Sequence, residues 1–324
     1  MRSGNINKKL VFVISAVAAT GGLLFGFDTG VISGALLFLK EDFLLDSKGQ
    51  EWVVSSVLLG CILGAAVSGR LVDVLGRRKA IIGTAIVFAV GSILTSAADD
   101  FSMLVAGRVV VGLGIGVASY AVPLYISEIA PPQHRGALVS LNQLLITVGI
   151  VLSYLVDDLF ANTAGSWRYM FLAGVIPALV LGVGMFFLPE TPSWLTGKGR
   201  DAEAIGILNR IMTGPEAEIE LAAIQQAVPE SPASSVKQLR APWLRPALLI
   251  GIGIMFVQQA TGINTVIYYA PTIFEVAGFQ SATTAITATI GVGLVNVLMT
   301  MVAIWLVDKV GRKPLLSYGL IGMT

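Results

Sequence analysis

Long apolar runs divided by short charged stretches organise this sequence. Runs long enough to be read as spans lie at about 10 to 39, 52 to 69, 80 to 98, 101 to 126, 137 to 156, 168 to 188, 244 to 270 and 282 to 307, and a ninth begins near Leu315. About 20 helical residues, rising about 1.5 Å each, cross about 30 Å of hydrocarbon. The pattern therefore predicts an all-α membrane protein with eight complete transmembrane helices and the start of a ninth. Lys8 and Lys9 precede the first run as they would in a signal peptide. That run continues to about Leu39 with no small-residue cleavage site, so it reads as the first spanning helix.

Composition supports lipid as the main solvent of this chain: 55% of residues are hydrophobic and 13% charged, and the mean hydropathy is +0.82. A net charge of +1 creates no field that would recruit nucleic acid. Cys61 is the only cysteine, and His134, the only histidine, has no metal-ligand companion nearby in sequence, so neither a disulfide, a metal site nor a cofactor is expected.

Placing the N-terminus in the cytoplasm puts 17 of the 21 Lys and Arg on the inner side, with Lys40, Lys48 and Arg168 outside and Arg108 within a span. The outer loops then carry acids: Glu41, Asp42, Asp46, Asp99, Asp100, Asp157 and Asp158. Between Pro189 and Trp243 the chain turns polar, with Ile205, Leu208 and Ile211 spaced for short amphipathic helices. Three parts follow: a six-helix half over 1–188, a cytoplasmic loop over 189–243, and the first part of a second half over 244–324. The chain also repeats itself. Asp73-x-x-Gly76-Arg77 closes the second span and Asp308-x-x-Gly311-Arg312 the eighth, six spans later, as in a duplicated transporter. On this count most of helix nine and helices ten to twelve are missing, and the chain reads as a fragment.

Candidate chemistry lies where lipid should exclude it. Asp28 sits inside the first span, and a lone carboxylate there costs several kcal/mol. Arg108 is the one intramembrane base, and helical rise places the two roughly 18 Å and roughly 12 Å from the outer surface, within reach of each other. The pair suits a proton site that protonates when the partners separate, or equally a permanent structural ion pair. The seventh span concentrates Gln258, Gln259, Thr261, Asn264, Tyr268 and Tyr269, neutral groups suited to a polyhydroxylated ligand or to gluing helices together. In a straight helix Gln259 and Asn264 would lie about 140° apart, but Gly262 supplies a break and Pro271 another. Gln143 and Asn296 add amides on the fifth and eighth spans. Gly112, Gly114 and Gly116 follow no strand and read as close helix packing rather than a dinucleotide loop; there is no Walker motif for ATP drive. At the inner ends Asp73, Arg77, Arg78, Glu128, Arg135 and Glu190 could form a salt-bridge network closing the inner mouth, with Asp308 and Arg312 as counterparts in the second half. No nucleophile–base pair suggests an enzyme.

Four motifs together resemble the sugar porter family of the major facilitator superfamily over essentially the whole chain: Gly69 to Lys79, Arg108 with Pro123 to Pro131 and Arg135-Gly136, Pro189 to Leu195, and Gln258 to Asn264. The resemblance implies two six-helix halves that rock around a central site. It implies Gln143, Gln258, Gln259, Asn264 and Asn296 as sugar hydroxyl ligands, Phe25 and Tyr268 as pocket or gate aromatics, and Asp28 with Arg108 as the coupling pair of the proton symporters. The implied protein is a plasma-membrane monomer that carries a proton with a hexose, pentose or inositol-like polyol. Its rivals are a proton-independent facilitator and a transport-inactive sugar sensor. Two departures stand out: Ser193 replaces the family's arginine, and the family's pocket helices ten and eleven, with their tryptophan, lie beyond this sequence.

Overall fold

A computed structural model describes residues 7–212, 214–227, 242, 244–279 and 281–323. Among these residues the chain is helical throughout its ordered elements. The first five spans are α1 (Lys8–Asp42), α2 (Ser47–Leu75), α3 (Arg77–Ser96), α4 (Phe101–Ile129) and α5 (Arg135–Phe160), and the sixth is interrupted at Gly174 into α6 (Ser166–Ala173) and α7 (Val175–Phe187). Three short helices follow: α8 (Pro192–Gly197), α9 (Asp201–Ile211) and α10 (Pro215–Ala227). The seventh span is α11 (Arg245–Ala260) and α12 (Ile263–Tyr268), leading to α13 (Ala270–Val276), α14 (Ala282–Val310) and α15 (Arg312–Met323). Eight helical stretches among the described residues are long and apolar enough to cross a membrane. Below, "inner" denotes the end that the Lys and Arg pattern assigns to the cytoplasm.

Helices gain little by burying apolar surface against one another in lipid, because the lipid tails are equally apolar; close backbone approach between small residues supplies the attraction instead. The sequence provides for this along two seams. On α1, Gly22, Gly26, Gly30 and Gly34 recur every fourth residue and face Asn142, Ile146, Ser153 and Asp157 of α5. A β-carbon on Gly26 would collide with the backbone carbonyl of Ile146, so the helices meet backbone to backbone. Gly60 and Gly64 of α2 likewise meet α4 around Gly112 and Gly116, while Gly114 turns to α3 beside Thr84 and Phe88. The mid-span glycine series is therefore a packing surface on two sides. Buried hydroxyls that a dry interior would otherwise strand donate back to their own helix, as Ser33 does to the Gly30 carbonyl at 2.6 Å and Thr95 to Gly91 at 2.8 Å.

Sequence repetition is also geometric. α2 stops at Gly76 (φ 92°, ψ 160°) and α14 stops at Gly311 (φ 89°, ψ 161°). Both conformations lie in the positive-φ region where a side chain is strained, which explains a glycine at this point of each copy. On the inner side α9 buries Leu208 and Ile211, and the Asn7 amide donates to the Ile211 carbonyl at 2.8 Å, tying the start of α1 to this layer. One expectation fails here. Asp157 and Asp158, read as outer-loop acids because the apolar run ends at Val156, lie inside α5, and Asp157 is fully buried.

The seam analysis predicts that Gly26→Ala lowers stability by about 1–3 kcal/mol, because a backbone oxygen cannot swing aside as a side chain can. Gly83→Ala, where no atom lies within 4 Å of the added carbon, should leave the thermal midpoint in detergent unchanged or slightly raised. Equal midpoints for the two variants would contradict the seam.

Candidate functional site

Asp28 and Arg108 meet. Arg108 Nη1 of α4 donates to Asp28 Oδ1 of α1, with Arg108 0% and Asp28 5% exposed. The guanidinium carbon stands 5.5 Å from the Phe171 ring centroid, in the range of a cation–π contact. The pair is joined at one prong: Arg108 Nε and Nη2 are buried with no hydrogen-bond partner among the described residues. A two-pronged guanidinium–carboxylate fork would be firmer.

The seventh span breaks beside this pair. α11 ends at Ala260, Gly262 takes a left-handed conformation (φ 73°), and α12 restarts at Ile263. The break turns Asn264 back toward Gln259, so that Asn264 Nδ2 donates to Gln259 Oε1 at 2.8 Å. Pro271 stands at the start of α13, after a second interruption at Tyr269. Tyr268 packs against the buried cluster that includes Phe27, Val31 and Trp167 and lies within electrostatic reach of both Asp28 and Arg108. Phe25, three residues before Asp28, is half-buried on α1. Gln143 and Gln258 are exposed and Asn296 is half-buried, and none makes a side-chain hydrogen bond among the described residues. The structure thus joins Gln259 to Asn264 and brings Tyr268 to the ion pair, while the remaining amides stand unengaged on α5, α11 and α14.

Helices of the two halves touch chiefly near their outer ends. Lys40 Nζ of α1 pairs with Glu275 of α13 at 2.9 Å. Thr287 of α14 donates to Asp158 of α5 at 2.5 Å, Thr283 to Asn162 at 3.3 Å, and Tyr154 Oη to the Ile267 carbonyl at 3.3 Å. Toward the inner side, α11 buries no residue at all.

The inner-end charges form a network within the first half and the loop that follows it. Arg77 donates to Glu128 through Nη2 at 2.9 Å and Nε at 3.0 Å, and reaches Asp73 at 3.3 Å. Thr191 Oγ1 donates to Glu128 Oε2, the oxygen that Arg77 Nε also reaches, at 2.5 Å. Gly76, at the N-cap of α3, has no side chain to offer the first-turn amides, and Glu190 substitutes for it, accepting from the Arg77 and Arg78 N–H groups at 3.1 Å. Burial holds the Glu190 carboxyl above its usual range, opposed by those backbone donors. Arg78 is spent on the carbonyls of Met185 and Phe186. Arg135 is left out of this network: it is exposed and forms no ion pair among the described residues, both Glu128 oxygens being taken by Arg77 and Thr191. It lines instead a cleft of about 290 Å³ with Glu128, Ser193 and Glu220. The side chains of Asp308 and Arg312 lie outside the described residues.

Asp157 escaped the sequence reading, yet a signal was present. Gly149, Ile150, Ser153, Tyr154 and Asp157 recur at helical spacing, and all are buried; the α1 glycine series, continued to Gly34, ends opposite the last of them. The 3.6-residue period runs one turn beyond the apolar run.

Comparison with known proteins accords with this geometry. Residues 14–324 match the family described as "Sugar (and other) transporter". The chain is 44% identical to the galactose-proton symporter of Escherichia coli, across 99% of this chain and 69% of that protein. It is 43% identical to the glucose transporter GlcP of Staphylococcus epidermidis, across 98% and 70%. It superposes on the proton:xylose symporter XylE bound to 6-bromo-6-deoxy-D-glucose with a TM-score of 0.83 at 34% identity, covering 95% of this chain and 71% of that one. A partially occluded inward-open XylE from E. coli also gives 0.83, at 33% identity, with 95% and 73% covered. The chain spans about two thirds of the length of the curated relatives it matches. With this family match, this all-helical fold and these carrier relatives, the chain belongs to the sugar porter family of the major facilitator superfamily, a family of transporters and not of enzymes.

Proposed function

We propose that this chain carries a monosaccharide or related polyol across the cell membrane by alternating access, with a proton moving on Asp28. The observation that carries the reading is the ion pair held by one hydrogen bond beside the broken seventh span. Three features of this arrangement combine in one cycle. Protonating Asp28 cancels the charge that holds Arg108 and frees the pair. Tyr268, close to that pair, belongs to the same broken segment as Gln259 and Asn264, so a change at Asp28 reaches the amides that would hold sugar hydroxyls. Gln143, Gln258 and Asn296, unengaged on neighbouring helices, complete a neutral ligand set with Phe25 as its aromatic wall. The sugar and proton named in the relatives' titles, the galactose-proton and xylose symporters among them, support this choice.

In the cycle, the outward-open form takes a proton and a sugar, the halves rock, and both leave inside. Each proton moving inward adds about 2.3 kcal/mol per 100 mV of membrane potential, enough to move sugar uphill. The N-terminus faces the cytoplasm, as the Lys and Arg distribution requires. The carrier functions as a monomer. The Arg77–Glu128–Thr191 and Glu190 contacts hold the inner ends of α2, α3, α4 and α7 together and must rearrange as the inner mouth opens.

Asp28→Asn should abolish accumulation of sugar against its gradient in reconstituted vesicles while sparing exchange; uphill uptake by that variant would overturn the coupling role and favour a facilitator. Asn264→Ala should weaken sugar binding roughly tenfold, about 1.4 kcal/mol, by removing one ligand amide and freeing Gln259; unchanged affinity would remove the pair from the site. For the inner network, Glu190→Ala should destabilise by about 1–3 kcal/mol because two helix-end amides lose their acceptor. Glu190→Gln, which keeps an acceptor oxygen without the charge that burial opposes, should cost less. The folded state binds the Glu190 proton more tightly than the unfolded chain does. Its contribution therefore grows as pH falls through the carboxyl's raised range and is lost as pH rises through it. Melting curves against pH should show this dependence in the parent and not in Glu190→Gln.

A further inference from the structure

One buried acid has no part in the cycle above. Asp157 is 0% exposed near the outer end of α5, and neither of its carboxylate oxygens has a hydrogen-bond partner among the described residues. It is seated on Gly34 of α1, where even a β-carbon would press into the carboxylate. The charged and titratable groups around it are engaged elsewhere. Tyr154, one turn earlier on α5, donates to the Ile267 carbonyl, and Asp158 accepts from Thr287 of α14. Lys40, further along α1, pairs with Glu275 of α13, and Asp42 accepts from Trp167 Nε1 of α6 at 2.6 Å. The nearby hydroxyls of Ser33 and Ser153 donate to carbonyls of their own helices. A carboxylate sealed in such surroundings with no counter-charge is far more costly than the neutral acid.

The two halves meet about one helical turn beyond Asp157. Leu37, three residues beyond Gly34 on α1, Ala161, one turn beyond Asp157, and Ile286 of α14 form a small buried cluster at this level. Ile286 belongs to the second half, and its neighbour Thr287 makes the bond to Asp158. The contacts that bring the halves together at their outer ends therefore lie beside the seat of Asp157, at its neighbour Asp158 and one turn beyond at Ala161.

We propose that Asp157 is a second proton site, distinct from the Asp28–Arg108 pair, which holds a proton while the outer side is closed. When Ile286 and Thr287 withdraw, the acid O–H bond breaks, its electron pair stays on the carboxylate, and the proton passes to outer water. Acid on the outer side thereby favours closure, and alkali favours opening. The link to rocking rests on the proposed transport cycle; the proton on Asp157 does not.

The test is infrared spectroscopy of the full chain reconstituted in lipid, reading the carbonyl stretch of protonated carboxyl groups without sugar or gradient. An Asp28→Asn background removes the other candidate acid. We expect a band near neutral pH that is lost in Asp157→Asn and displaced in frequency in Asp157→Glu, the latter serving also if the Asn variant does not fold. A spectrum that neither substitution alters overturns the proposal. Ile286→Asn, which lets water in beside the seat, should make the band disappear at a less alkaline pH; an unmoved titration overturns the link to α14. A protein that shows the band but carries no sugar would sink the transport reading alone, and intact symport without the band would sink this one alone.

Discussion

A guanidinium and a carboxylate share the dry interior of the first six-helix half through a single hydrogen bond, and the rest of the site is arranged around that fact. Burying two charges is tolerated only when each compensates the other. Arg108 has one prong on Asp28, an aromatic face at Phe171 and two nitrogens with no partner among the described residues. A pair satisfied to that extent is stable enough to keep both charges in place. In the proposed cycle, a proton on Asp28 shifts that balance. Tyr268 on the broken seventh span lies within electrostatic reach of the pair; in the proposed cycle it links a proton on α1 to the amides on α11 and α12.

Such sensitivity needs a rigid frame. The α1–α5 and α2–α4 seams provide it through glycines that bring backbones into contact, and close packing of this kind transmits displacement instead of absorbing it. At the inner end the Arg77–Glu128–Thr191 cluster and the Glu190 cap on α3 tie several helix ends together. Near the outer ends the two halves touch through Lys40–Glu275 and through α5 with α14. The first half is thus held internally by backbone packing and buried charge, and joined to the second by a few polar contacts and by small apolar clusters such as Ile150 and Tyr154 with Ile267.

Much of this was legible in the sequence because lipid imposes strict rules. Eight spans followed from apolar length alone, and the meeting of Asp28 with Arg108 followed from depth and the lack of any other intramembrane base. The bend at Gly262 followed from the need for Gln259 and Asn264 to face one way. Three features were less accessible. Asp157 was hidden because hydropathy ends a helix where apolarity ends, whereas α5 continues to Phe160, and only the glycine stripe of α1 marks the tight seam in which an acid can be enclosed. Arg135 was grouped with the inner network by charge and position, but sequence does not reveal that Arg77 takes both Glu128 oxygens and Thr191 shares one of them. Glu190 capping α3 from more than a hundred residues away is a tertiary arrangement with no local signature beyond a bare glycine at the N-cap.

The central claim is that sugar and proton cross together through the site at Asp28. Its most direct test is to add sugar to one side of vesicles containing the full carrier, with no imposed pH or voltage gradient, and to follow the pH of the weakly buffered medium. The account predicts that the medium becomes more alkaline as sugar enters, at a fixed ratio of protons to sugar. Sugar entry at a comparable rate with no change in pH would contradict it.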